Sequence, residues 1–236
     1  MNRYFIKLSA MSFLFCILVF FNTQTMFGQS SDETADSPAK KASLSLDDVM
    51  DRVEKRYAGS GFSARFDQKS TIKAMEITDT AYGKLFVKRP DMMRWEYEAP
   101  EKQVIMTDGD TLWIYRPADR QVMTGKAPAY FGNGKGASFL SDIRAVRKQF
   151  IVSLEKKDES VFYVLKLLPK EKKFDISAIY LSISKENFDV VKIATYNAYE
   201  DETLIVMGNF QFNQEFDNAM FNFAIPGGVD ILKLEE

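Results

Sequence analysis

Two hydrophobic periods divide the chain. Between Ser43 and Gly61, "SLSLDDVMDRVEKRYAGSG", the apolar residues Leu46, Val49, Met50, Val53 and Tyr57 recur at helical spacing. Ser45 is placed to cap that helix, and Asp47 and Asp48 suit its positive N-terminal end. Gly59 and Gly61 end it. The stretch predicts an amphipathic helix with a narrow apolar stripe.

From Phe62 the period becomes two. "FSARFDQKS" sets Phe62, Ala64 and Phe66 on one face and Ser63, Arg65 and Asp67 on the other. Further strands are predicted over Thr80–Lys88, Met92–Glu98, Gln103–Thr107, Thr111–Tyr115 and Gln121–Thr124. "TDGDTLWIY" reads as a hairpin turning at Asp108-Gly109. A glycine-rich break, "GNGKGAS", precedes a second helical pattern, in which Phe139, Leu140, Ile143 and Val146 share a face and Ser138 is a cap. Strands resume over Phe150–Glu155, Val161–Leu168, Ser177–Ser184, Val190–Asn197 and Thr203–Asn213. The fold class follows: mainly β, with eleven strands joined by mostly short loops into one antiparallel sheet. A sheet that long curls as its twist accumulates. Its inner face is apolar, with Leu181 and Ile183 on one strand and Val191 and Ile193 on the next. The two amphipathic helices are the elements available to cover it, which predicts a bent, unclosed barrel roofed by helices.

The N-terminus has a different character. Arg3 and Lys7 precede the apolar run Met11–Phe21, and small residues follow near Gly28 and Ser30. Residues 1–30 therefore read as a cleaved secretory leader, and 31–43, polar and without apolar period, as a flexible linker. Residues 44–236 read as one domain. Cys16 lies inside the apolar run, the wrong place for lipid attachment. The exported chain would then have neither cysteine nor histidine, which excludes disulfides, the usual zinc sites and His-dependent triads. No cofactor is expected, and no catalysis. A formal net charge of −2 gives no basic excess for nucleic acid. "GNGKGAS" departs from the phosphate-loop spacing, with Ala129 where the first glycine belongs and Gly136 where Ser or Thr belongs.

"GKLFVKRPDMMRWEYEAP", Gly83 to Pro100, is the most informative stretch. If Leu85 and Val87 face inward, so does Arg89. A guanidinium facing an apolar concavity needs acceptors for its five donors. One reading is a latch that ties a covering element shut. The other is an arginine snorkelling to the rim at a strand end. Arg94 is expected to face solvent.

That stretch, with "FSARFDQKS", "IMTDGDTLWIY" and "FNFAIPGGVDI", resembles the periplasmic outer-membrane lipoprotein carriers of the LolA family. The matching segments run in order from Phe62 to Ile231. The resemblance implies an unclosed, strongly bent eleven-strand sheet under a helical lid. It implies a monomeric periplasmic carrier that takes acylated lipoproteins from an inner-membrane ABC-type transporter and passes them to an outer-membrane receptor. It places Arg89 as the lid latch and Met93 at a position important for accepting cargo. The cavity is expected to be lined by Leu85, Val87, Met93, Trp95, Leu181 and Ile183. The lid contacts are expected from Leu46, Val49, Met50, Val53, Phe139, Leu140 and Ile143. Both faces of Thr111–Tyr115 are apolar, so alternation does not say which lines the cavity. The alternative is the same half-barrel binding another lipid or acting as a lipid-sensing regulator.

Overall fold

The computed structural model describes residues 44–128, 139–155, 161–171 and 176–234, all within one compact unit. The expected leader and linker, and the whole glycine-rich break with Ser138, lie outside the described residues. Helix α1 spans Leu46–Arg56. Ser45 and Asp48 form a reciprocal capping box at its start, with Asp47 and Asp48 in the first turn and Lys55 and Arg56 in the last. Val49, Met50, Val53 and Tyr57 of the apolar stripe are buried and Leu46 partly so, as the spacing requires.

The strands are β1 Gly61–Ile72, β2 Ile77–Lys88, β3 Met92–Ala99, β4 Gln103–Thr107, β5 Thr111–Arg116 and β6 Gln121–Lys126. After a short helix, α2 (Arg144–Gln149), come β7 Phe150–Glu155, β8 Phe162–Pro169, β9 Ile176–Ser184, β10 Val190–Asn197 and β11 Glu202–Phe212. A twelfth strand, β12 Asp230–Lys233, ends the series. All twelve form one sheet in the order β12-β6-β5-β4-β3-β2-β1-β11-β10-β9-β8-β7. The two edges, β12 and β7, do not pair, so the barrel is unclosed.

The count of eleven strands is corrected to twelve among the described residues. β12 pairs parallel with β6, and its four residues are all exposed. A fully exposed four-residue strand has no apolar alternation to announce it. The pairing of β1 with β11 joins two meanders and puts β6 and β7 far apart in the sheet. The connection between them, which carries Phe139–Gln149, therefore runs from one flank to the other.

The inner face is continuous. Phe62, Ala64 and Phe66 of β1, Leu85 and Val87 of β2, Met93 and Trp95 of β3, and Ile179, Leu181 and Ile183 of β9 are all buried in one cluster. Gly83 opens the informative stretch for a steric reason. A Cβ there would lie 2.0 Å from the Glu96 carbonyl oxygen and 3.0 Å from the Phe66 ring.

The outer face of β2–β5 has its own cover. The segment after β11 lays Phe216 against Phe86 and Phe223 against Tyr115, and buries Phe221. Arg94 takes part in this, against the expectation that it faces solvent. Its side chain is only 22% exposed, pairs with Glu96 at 2.6 Å and donates to the Met220 carbonyl at 3.1 Å. Alternation correctly put it on the outer face, but gave no sign that the chain's end returns to cover that face. The open question about β5 is also answered. Leu112 is in register with Thr107, which pairs with Met93, so Leu112 and Ile114 point inward and Trp113 and Tyr115 outward.

Candidate functional site

The inner face is roofed by two helical segments. From α1, Val49, Met50 and Val53 are buried against the sheet and Leu46 packs there partly buried. From the second segment, Phe139, Leu140, Ile143 and Val146 complete the cluster. Regular helix starts only at Arg144, with Phe139–Leu140 in a preceding turn, so this segment is shorter than its pattern suggests.

α1 is tied to the rim of the sheet at its C-terminal end. Arg56 pairs with Asp189 at 2.6 Å, where the carboxylate side chain is 6% exposed and the arginine 35%. The same guanidinium lies 3.8 Å from the centroid of the Phe212 ring. The Tyr57 hydroxyl accepts a hydrogen bond from the Val190 amide at 3.0 Å. Burial pushes the Tyr57 phenol well above its ordinary pKa, so it stays neutral. Its ring meets Phe62 and Phe212 edge to face.

α2 is tied to α1 through one side chain. Arg147 bonds Asp47 at 2.6 Å, Asp51 at 2.5 Å and Glu54 at 2.8 Å. Its pKa is raised above the ordinary value, Glu54 contributing most and Asp47 next. The three carboxylates stand at i, i+4 and i+7 on one face of α1. That stripe was legible in the sequence; the residue that answers it was not.

The turn between β2 and β3 approaches the second segment. Arg89 is partly buried, and its backbone amide donates to the Ser60 carbonyl at 3.0 Å. Among the described residues its guanidinium makes no hydrogen bond. Burial lowers its pKa, and the nearby charge of Asp142 opposes that shift. Asp91, at φ 56°, accepts a long hydrogen bond from the Ser141 hydroxyl at 3.5 Å. Between this turn and the second segment is a cavity of about 300 Å³. Met93, Phe139 and Ala145 line it, with Asp91, Thr107 and Asp142 as polar members.

The structure thus buries Leu85, Val87, Met93, Trp95, Leu181 and Ile183 in the same cluster as Val49, Met50, Val53, Phe139, Leu140 and Ile143. Met93 alone of the expected wall residues also borders the 300 Å³ cavity. Arg89 stands outside the cluster, at the rim. Sequence reasoning missed Arg56, Asp189 and Arg147, whose partners are 133 and 93 to 100 residues away in the chain. Among the described residues no group of three or more His, Cys, Asp and Glu could hold a metal ion. No described helix is long and apolar enough to cross a membrane.

An unclosed half-barrel with an apolar interior roofed by helical segments defines a class of lidded, curved-sheet proteins. The chain belongs to the LolA family within it: the pattern described as outer membrane lipoprotein carrier protein LolA matches residues 59–224. The chain is 28% identical over 172 residues to an outer-membrane lipoprotein carrier protein of Neisseria meningitidis serogroup C, covering 73% of this chain and 80% of that one. It is 24% identical over 197 residues to the carrier of Azotobacter vinelandii, covering 84% and 92%. An uncharacterized conserved protein from Thermus thermophilus has a similar fold, with a TM-score of 0.52 at 14% identity over 81% of this chain and all of that one. The family is one of carriers and not of enzymes.

Proposed function

We propose that this protein is a periplasmic carrier that shields the acyl chains of lipoproteins and conveys them to the outer membrane. One observation carries the reading. The apolar inner face of a LolA-family sheet is covered by helical segments, not by a second sheet, and helices can be displaced without breaking strand pairing. Cargo arrives from an inner-membrane ABC-type transporter and leaves to an outer-membrane receptor. Residues 1–30 are its export leader and 31–43 its tether, and the carrier works as a monomer.

The energetics suit reversible loading. Each methylene removed from water contributes about 0.8 kcal/mol. The lid side chains pack against the inner face, so acyl chains gain only the difference between their burial and that of Val49, Met50, Phe139 and Leu140. Arg89, partly buried at the rim beside the second segment, is the latch that the family resemblance implies, with Asp142 attracting it and Arg144 opposing. Met93, shared by the core and the cavity under that segment, is the first wall residue a chain meets on entry.

The test is release from spheroplasts. Membranes bearing newly made outer-membrane lipoproteins, with transporter and ATP, are mixed with the purified protein. Soluble lipoprotein in one-to-one complex is the expected result. Lipoprotein that stays in the membrane fraction would sink the carrier reading and favour another lipid as ligand.

A further inference from the structure

We propose that Trp95 is a specificity residue whose indole N–H donates a hydrogen bond to an ester carbonyl of the bound acyl group. This rests on the carrier reading and goes beyond it, because it names a polar recognition element inside an apolar cavity.

The observation is an orphaned donor. Trp95 is 3% exposed, and its Nε1 is a buried polar side-chain atom with no hydrogen-bond partner among the described residues. Native interiors leave few such groups, because a buried donor without an acceptor loses its water and gains nothing. The surroundings are apolar. Leu85 and Ile105 stand opposite Trp95 on the neighbouring strands, and the Phe66 ring meets it edge to face at 4.8 Å. Phenylalanine would fill much of the same space without leaving a donor unpaired. Among the described residues the indole N–H therefore has no nitrogen or oxygen acceptor.

A ligand explains it. Trp95 follows Met93 by two residues on the same face of β3, about 7 Å further along the strand. Met93 borders the cavity beneath the second segment, and Trp95 lies beyond it within the core. A diacylglyceryl group entering there with its methyl ends leading carries two ester carbonyls behind its hydrocarbon. Those oxygens lose their water on entry and need a donor. Trp95 Nε1 is a donor inside the wall with none of its capacity used. Hydrocarbon burial alone cannot tell an acyl ester from an alkyl ether of equal length, whereas a placed donor can.

The test compares two synthetic peptides, one ending in a diacylglyceryl cysteine and the other in its dialkyl-ether counterpart of equal chain length. Wild type is expected to bind the ester form about fivefold more tightly, the loss typical of one neutral hydrogen bond. Trp95→Phe is expected to bind both equally, at the ether's affinity, and to be no less stable to urea than wild type. In ¹⁵N-labelled protein the Trp95 indole proton should shift downfield with the ester peptide only, Trp113 serving as the internal control. If Trp95→Phe keeps the ester preference, or the indole signal answers both peptides alike, the inference is overturned while the carrier reading stands. If neither peptide binds wild type, the carrier reading fails and this inference fails with it.

Discussion

α1 and the Phe139–Gln149 segment both roof the inner face with buried apolar side chains, yet they are held by different means. α1 has a capping box, a largely buried ion pair to Asp189 and a hydrogen bond from Val190 to Tyr57. Its ties run to the sheet. The second segment has six residues of regular α-helix, starts at Ile143 without a side-chain cap, and is held to α1 by the guanidinium of Arg147. It is held to the sheet by Lys170, whose ammonium and amide donate to the Arg147 and Gln149 carbonyls at 2.9 Å, both at exposed sites or the segment's end. Two of the three carboxylates on Arg147 are more than two-thirds exposed. Buried polar ties lose more when broken than exposed ones, because an exposed group regains water. On these contacts we propose that α1 is the fixed part of the roof and the second segment the part that yields. The cavity beside Met93 lies under the yielding part.

The sharpest way to break the comparison is Arg56→Ala. It leaves the Asp189 carboxylate buried without its partner and removes the stacking on Phe212, with an expected loss of about 2–3 kcal/mol in urea unfolding. A loss under about 1 kcal/mol would mean that α1 is no better fixed than the second segment. Tyr57→Phe comes next. It strands the Val190 amide in a buried site and should cost about 1–2 kcal/mol by the same measurement. Ser45→Ala removes the cap of α1 and should cost about 1 kcal/mol, read as earlier thermal unfolding.

Arg147→Gln should have the smallest effect on global stability, under about 1 kcal/mol. Its signature is local. Amide exchange over residues 139–149 should quicken, while α1 stays protected. In wild type the same quickening should appear on raising salt to about 0.5 M, since exposed ion pairs are screened over a few ångströms there. Equal quickening in α1 would show that the two segments open together and would end the distinction drawn between them.

The local elements and the faces of most strands were determined by the sequence alone; the exceptions are β5, apolar on both faces, and β10, where an irregularity buries Val190 and not the expected Val191. Alternation of period two put Leu85, Val87, Met93 and Trp95 on one face, and the 3.6 period did the same for Val49, Met50 and Val53. Those signals are local, because each residue's direction follows from its own backbone. What lay beyond reach involved partners distant in the chain or elements without a pattern. β12 is exposed throughout and is a strand only because the edge of β6 accepts it. Arg94 is shielded only because Met220, 126 residues on, returns to it. Arg147 meets its carboxylates across roughly a hundred residues, and Arg56 meets Asp189 across 133. Even Arg89, on an informative motif, had its surroundings decided by where Asp142 is carried. Burial direction is written residue by residue in the hydrophobic pattern. The pairing of charges depends on which ends of the sheet the topology brings together, and only the tertiary structure decides that.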